Sequence, residues 1–406
     1  MIENLLAAMD LALKTLEETG GKTVQLFHHN DADGLTSGAI LTRAFERKGC
    51  EVRRSSLEKP YPAVLERIFA VRGETIVFAD FAGRIAPLIS ELNRGQNLVL
   101  ILDHHVALPA ADPSVHNLDP DLYGLKGDLD ISASVTCWRF AMRMDERNAD
   151  LADLAALGAV GDEFFLDGRL VSENRLAVLE AVAQGRMRVE PGKVGEKYYF
   201  FTPKGEVAGP ALAKYLETLG GVGYYREGPE MGVAVCLNGP SPESDRMHAE
   251  LKTLKEERFT EEIRRLRAGG MHASGHIQWF HVGERFAPMG VKMIGAFCEA
   301  IRNQDFIDPR KYLAGFQSLP DEVPGFGAVA MNDVKVSMRV SAFLEGEIRA
   351  GRALPLNRLL PEATGRVGGF SDACHGLAAA TTVGAGKEER LIAEMENILG
   401  ASASPK

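Results

Sequence analysis

The segment Asn97-Leu98-Val99-Leu100-Ile101-Leu102-Asp103-His104-His105 joins an almost wholly apolar run to one acid and two imidazoles. A short apolar run of this kind reads as a strand buried on both faces, as in a parallel sheet. Asp103, His104 and His105 then lie at its carboxyl end, where open α/β sheets hold their ligands. Two earlier strands end in similar residues. Val24–Phe27 runs into His28-His29-Asn30-Asp31-Ala32-Asp33-Gly34, and Thr75–Ala79 runs into Asp80. At this chain's histidine content, on the order of one Asp in 1,600 would be followed by two histidines by chance. Three strand ends able to converge on one spot point to a polynuclear metal site.

The residue types narrow the metal. His and Asp suit borderline and hard divalent ions such as Mn²⁺ and Mg²⁺, and no thiolate favours zinc. His29, Asp31 and Asp33 alternate along an extended stretch, so all three can face one side. Gly34 lets the backbone turn sharply into the next helix. Crowding Asp31, Asp33, Asp80 and Asp162 into one cleft costs strong repulsion, which two divalent cations balance. An Asp after Leu157-Gly158-Ala159-Val160-Gly161 reads equally well as a helix N-cap, so Asp162 is the weakest of the four when read alone.

The rest of the chain sets the context. Hydrophobic residues make up 45% and charged residues 25% of 406 residues, which is ordinary for a globular protein of roughly two or three domains. No apolar stretch reaches the roughly 20 residues needed to span a bilayer, and the first residues lack the basic start of a secretory signal. Cysteines 50, 137, 236, 298 and 374 form no C-x-x-C pair. The expected compartment is the cytoplasm, with no membrane partner. A net charge of −10 weighs against wide non-specific binding of nucleic acid, and favours short or locally gripped substrates.

Strands and helices alternate through residues 1–165, which predicts a parallel sheet covered on both faces. Helices are expected over 35–48, Ala63–Phe69, Ile85–Arg94, Ser132–Met144 and Asp150–Val160, with a further strand near Glu51–Arg54. Gly185–Lys197 reads as a connection or the rim of an insertion. Asp245–Arg267 carries the longest helical pattern, stopped by Gly269-Gly270. It reads as a helix packed on a domain surface or one joining two lobes. The fold class expected is α/β, a parallel-sheet domain with a second, smaller α/β domain across a cleft. The divisions are 1–185, a connecting or inserted region 186–270, and 271–406.

The run His29-Asn30-Asp31-Ala32-Asp33-Gly34, the Asp80 strand end, Asp103-His104-His105 and Ala159-Val160-Gly161-Asp162 are together similar, in order, to the four motifs of the DHH phosphoesterase superfamily. That family includes RecJ-type single-strand exonucleases, nanoRNases, phosphoadenosine-phosphate phosphatases, cyclic-dinucleotide phosphodiesterases and manganese-dependent pyrophosphatases. The similarity covers residues 24–165. It implies that His29 and Asp31 bind one metal, that Asp33, His104 and Asp162 bind the other, and that Asp80 bridges them. Asp103 would orient an imidazole from behind, and His105 would point at the substrate phosphate.

A second resemblance covers roughly residues 275–395. Lys335-Val336-Ser337-Met338-Arg339 looks like the strand of the DHH-associated C-terminal domain whose arginine grips phosphate. Val367-Gly368-Gly369, with His375-Gly376-Leu377-Ala378-Ala379, looks like its glycine-rich phosphate loop. An arginine fork and exposed backbone N–H groups are what phosphate recognition needs. The chain departs from that pattern, with Asp372-Ala373-Cys374 where relatives carry three glycines before the histidine, and Ala380 where a glycine commonly follows the paired alanines. The segment Ile277-Gln278-Trp279-Phe280-His281 and the overall length are most similar to the archaeal-type RecJ-like branch.

Other motifs carry less. His272, His276 and His281 lack acidic or thiol companions nearby in sequence. Gly384-Ala385-Gly386-Lys387 lacks a preceding strand and a following Ser or Thr, and is not read as a phosphate loop. Arg264-Arg265-Arg267 suits a solvated helix end.

The expected function is a two-metal, Mn²⁺-dependent phosphodiesterase (Mg²⁺ the alternative) acting on single-stranded DNA or RNA, or on short oligonucleotides. Partners expected from the resemblance are that nucleic acid, a second copy of the chain, or replication and repair proteins. The rival readings are hydrolysis of a small phosphate compound, such as phosphoadenosine phosphate or a dinucleotide, and a catalytically silent RecJ-like scaffold.

Overall fold

The computed structural model describes residues 1–402, apart from the side chains of Asp372, Ala373 and Ser402. The chain divides into two compact units, Met1–Leu251 with Pro324–Phe326, and Lys252–Val323 with residues 327 onward.

The first unit is built on five parallel strands: β1 (Thr23–His28), β2 (Glu51–Ser56), β3 (Thr75–Ala79), β4 (Leu98–Leu102) and β5 (Val115–Asn117). Their order across the sheet is β2-β1-β3-β4-β5. The chain therefore steps outward from β1 to β2, then returns to β1's other side. A crevice opens where the direction reverses, between the carboxyl ends of β1 and β3, and open α/β sheets bind ligands there. Every residue of β3 and β4 is buried, which is why the sequence shows unbroken apolar runs. β2, at the edge, alternates exposed and covered positions.

Helix Ala32–Arg47 follows β1 and is buried along most of its length. It packs against helix Ala133–Met144, capped by the Ser132 side chain, and against helix Ala152–Gly161. Asp162 directly follows the last of these, with φ −87° and ψ 9°. It is a C-terminal residue there, and the N-cap alternative is excluded.

Gly185–Lys197, read as a connection or the rim of an insertion, enters a three-stranded antiparallel sheet, Met187–Pro191, Glu196–Thr202 and Gly205–Ala208. Tyr198 and Phe200 alternate inward while Tyr199 and Phe201 alternate outward, a pattern that the flanking Gly, Pro and charge obscure.

The longest helix is Pro242–Arg265. In the second unit a six-stranded mixed sheet has the order His272–Ala273, Ile277–His281, Tyr312–Ser318, Asp333–Arg339, Ala378–Gly384, Phe370–Cys374. Phe316, Val336 and Met338 pack in its core with Leu359, Leu360 and Met395. A strand does precede Gly384-Ala385-Gly386-Lys387. Its small, Thr-rich sequence hides it. Lys387 Nζ donates to the Val367 carbonyl at 3.0 Å, and Glu388 and Glu389 open the next helix, so an anion is still poorly served there. The acids missing around the later histidines come from that same helix: Glu396 meets His276 Nδ1 at 2.7 Å, and Glu388 meets His281 Nε2 at 3.4 Å. Among the described residues, no helix is long and apolar enough to cross a membrane.

Candidate metal centre

The carboxyl ends of β1, β3 and β4 bring the metal-type residues together. His29, Asp31 and Asp80 offer ligand atoms within 4.8 Å of one another, and so do Asp33, Asp80, His104 and Asp162. Asp80 belongs to both groups. Of these side chains, only Asp162 has substantial exposure, 28%.

Each ligand is held by local structure. Asp31 caps helix Ala32–Arg47, its Oδ1 accepting from the Gly34 N–H at 3.0 Å, which turns Oδ2 toward His29 Nδ1 at 2.8 Å. Gly34 is required by space. A Cβ there would lie 2.5 Å from the carbonyl carbon and oxygen of His29. Asp33 points at the N-terminus of helix Ala133–Met144, where its carboxylate accepts from the N–H groups of Ala133 at 2.9 Å and Ser134 at 3.0 Å. Those donors are otherwise orphaned in a helix's first turn, and they carry the positive end of its dipole. Asp80 follows β3 with φ 66°, in the left-handed region.

His104 Nδ1 lies 2.6 Å from the carbonyl of Gly127. A carbonyl only accepts, so this nitrogen carries the proton and Nε2 is turned into the cluster, 3.4 Å from both Asp80 and Asp162. Asp80, Asp103, His104 and His105 form a third such group, in which the Asp103 oxygens are already engaged. Asp103 Oδ1 meets His105 Nδ1 at 2.7 Å and the His104 N–H at 2.8 Å, and its Oδ2 accepts from the Gly83 N–H at 2.9 Å. Asp103 thus orients His105 and braces the loop.

The electrostatics are those of a cluster built around cations. Burial, and next the charge of Asp31, push Asp80 well above the ordinary carboxylate range. Burial and the charge of Asp162 push Asp33 up to about 7. Burial alone would lower the His104 imidazole, but Asp162 and Asp80 outweigh it and hold it well above its usual value. Asp103 runs the other way. Burial opposes its charge, but His105 and its hydrogen bonds hold it low.

A divalent metal fits these residues. Both Asp80 oxygens and His104 Nε2 are buried without a hydrogen-bond partner among the described residues, an arrangement that costs several kcal/mol unless something compensates it. The donors are oxygen and imidazole nitrogen, with no cysteine in either group, which suits Mn²⁺ or Mg²⁺.

Asp119, two residues past β5, was missed in the sequence. It is fully buried, and burial and the charge of Asp103 raise it well above the ordinary range. Gly83 separates it from Asp103; a Cβ there would lie 2.5 Å from Asp119 Oδ2 and 3.1 Å from Asp103 Oδ2. The fifth strand end, Val115-His116-Asn117-Leu118-Asp119, carried the signal: an acid at the same relative place as Asp80 and Asp103.

The residues expected to bind substrate lie in the second unit and do not form one loop. Gly368 (φ 67°) and Gly369 precede strand Phe370–Cys374, and His375 follows it, so they occupy opposite ends of that strand. The side chains of Asp372 and Ala373 lie outside the described residues. Arg339 ends strand Asp333–Arg339, its Nε 3.2 Å from Glu299 Oε2 and one terminal nitrogen donating to the Met338 carbonyl at 2.8 Å.

No family model matches the chain. An uncharacterised protein of Methanocaldococcus jannaschii is 27% identical over 164 residues, 39% of this chain and 36% of that protein. The chain thus matches about a third of this relative's length. Over 98% of the chain, the structure is similar to a DHH domain described as belonging to a family of ribosomal proteins, covering 92% of it at 14% identity with a TM-score of 0.63. It is likewise similar to the crystal structure of exonuclease RecJ bound to manganese, covering 98% of this chain and 95% of that one at 17% identity with a TM-score of 0.58.

Proposed function

We propose that this chain, which has the fold of the RecJ and DHH-domain structures, is a metal-dependent phosphoesterase of the DHH superfamily. Its reaction in this reading is Mn²⁺-dependent phosphodiester hydrolysis on single-stranded DNA or RNA, or on short oligonucleotides. One observation carries it: two candidate ligand groups that share Asp80 lie at the switch point of a parallel sheet, with both Asp80 oxygens and His104 Nε2 buried and lacking hydrogen-bond partners among the described residues.

His29 and Asp31 would hold one cation, Asp33, His104 and Asp162 the other, and Asp80 both. A pair of divalent cations in such a site supplies charge to offset the carboxylates and activates water for in-line attack on phosphorus. The protein's own groups do the rest. Asp103 fixes the proton of His105 on Nδ1, leaving Nε2 to contact a phosphate oxygen. Arg339 would bind a neighbouring phosphate by exchanging Glu299 for it, as guanidinium forks pair with either anion.

Hydrolysis of a small phosphate compound is the second reading. A net charge of −10 and an aromatic content of 7%, low for stacking bases, favour it. A silent scaffold is disfavoured because every expected metal ligand is present. The test is a manganese-dependent panel of labelled single-stranded DNA, RNA, dinucleotides, phosphoadenosine phosphate and pyrophosphate. Processive loss of nucleotides from the single strands supports the first reading, and turnover of the small compounds alone replaces it with the second. No calorimetric Mn²⁺ binding removes both in favour of the scaffold.

A further inference from the structure

The two helices that carry metal ligands at one end meet a separate hollow at the other. Asp31 and Asp33 open helix Ala32–Arg47, whose far end holds Arg43 and Arg47. Asp162 follows helix Ala152–Gly161, whose first turn holds Asp153 and Leu154. Asp153 and Asp162 are thus about 14 Å apart along the helix axis. At this far end lies a hollow of about 240 Å³, walled by Leu154, Leu157, Phe200, Leu212, Leu216 and Val235. A second of about 200 Å³ adjoins it, shares Asp153, Arg186 and Cys236, and adds Arg43 and Arg47.

Several features mark a built site. The walls are apolar on several sides, and Gly239 (φ 79°) lets the chain close against Pro203, where a Cβ would overlap the proline ring. The polar groups gather at one place. The Asp153 side chain is 19% exposed and faces Arg186 across 3.8 Å, wider than a hydrogen bond, so each keeps capacity for a third party. Arg47 is consumed by a bidentate pair with Asp150, 2.7 Å on each arm. Arg43 has only a loose contact with Glu46 at 3.7 Å. The hollow is half open, with apolar walls and the polar groups Asp153, Arg186, Thr202 and Asn238 also lining it; its volume falls just under the roughly 300–1,000 Å³ of drug-sized ligands. One planar heterocycle fits it.

We propose that the hollow binds a guanine nucleoside monophosphate, apart from the metal centre. The base lies between the leucine and phenylalanine walls. Asp153 accepts from the adjacent ring and exocyclic N–H groups of guanine, and Arg186 donates to the neighbouring carbonyl oxygen, a pairing that donor and acceptor inventories allow for guanine and deny to cytosine and adenine. The phosphate extends toward Arg43. The choice of a nucleotide rests on the phosphodiesterase reading, which makes mononucleotides available as products; the hollow itself does not depend on it.

Equilibrium dialysis of the full chain in EDTA against GMP, AMP, CMP and inorganic phosphate tests this. GMP should bind saturably, and the other three at least about tenfold more weakly. Arg186→Ala should weaken GMP by a similar factor without changing the thermal melt, and Asp80→Asn should leave GMP binding intact. The proposal falls if GMP does not saturate at millimolar concentration, if AMP binds as well as GMP, or if Arg186→Ala binds as the native chain does. Loss of binding in Asp80→Asn would place the nucleotide at the metal centre and likewise overturn it. Hydrolysis in the substrate panel is read separately, so failure of one does not imply failure of the other.

Discussion

Replacing Gly158 by alanine should destabilise this protein, although the same change in an open helix stabilises one. Gly158 lies inside helix Ala152–Gly161, where alanine's propensity is worth up to about 1 kcal/mol. The added methyl would overlap Asp33 Oδ1 and Ser134 Oγ and lie 2.5 Å from Thr36 Oγ1. None of these can step aside freely. Asp33 accepts from two backbone N–H groups, and Ser134 Oγ donates to the Ala155 carbonyl at 3.0 Å. Forced overpacking typically costs about 1–3 kcal/mol, and each lost hydrogen bond to a charged group about 1.5–3 kcal/mol. With the propensity gain subtracted, and one such bond broken, the expected loss is about 1.5–5 kcal/mol. Gly346, inside helix Ala342–Arg349 with no atom within 4 Å of where a Cβ would sit, supplies the control and should gain stability on the same substitution. Denaturant unfolding in EDTA measures both, and calorimetry of Gly158→Ala should show weakened Mn²⁺ binding because Asp33 has moved. If Gly158→Ala is as stable as Gly346→Ala and binds Mn²⁺ like the native chain, the account of Asp33's seat is wrong.

Other changes test other parts of the site. Asp80→Asn should abolish Mn²⁺-dependent hydrolysis, yet in EDTA melt close to the native chain, since burial and Asp31 already disfavour the charged carboxylate there; surviving hydrolysis would refute the shared ligand. Asp33, held at about 7 rather than the ordinary 3.8 by burial and by Asp162, is neutral in the metal-free protein below that pH. Its contribution to stability is full below the ordinary value and is lost as pH rises through about 7, so the metal-free chain should weaken between about pH 4 and pH 7 on thermal melting. Mn²⁺ must displace that proton, so affinity should fall by up to about tenfold per pH unit below 7, and a flat calorimetric profile would contradict this. Asp103→Asn should lower kcat by about 10²–10⁴ while Mn²⁺ still binds, because His105 loses its orientation; lost metal binding would assign Asp103 to the metal itself. Arg339→Ala should raise KM at nearly constant kcat, and a native KM would remove it from the substrate site.

The candidate metal cluster was legible because its residues sit at strand ends in short contiguous motifs. An apolar run followed by Asp103-His104-His105 fixes both the fold position and the ligand type. What supports those ligands was not legible. The carbonyl of Gly127, the N–H groups of Ala133 and Ser134, and the room left by Gly158 come from segments distant in sequence, and backbone groups leave no residue-type signal. Asp119 escaped because β5 is only three residues long and reads as a loop. The strand before Gly384 escaped because Ala378-Ala379-Ala380-Thr381-Thr382 lacks the large apolar residues that usually announce one.

The left-handed backbone at Asp80 limits how this centre could be altered. Aspartate and asparagine tolerate that conformation, whereas most other residues lose about 1–2 kcal/mol there. A cysteine, the ligand that would draw the site toward zinc, therefore meets a backbone penalty at the one position common to both ligand groups. Asp31, with φ −94°, and Asp162, with φ −87°, impose no such penalty. Re-engineering of metal preference, by design or by drift, has an open route at the outer ligands and a closed one at the centre.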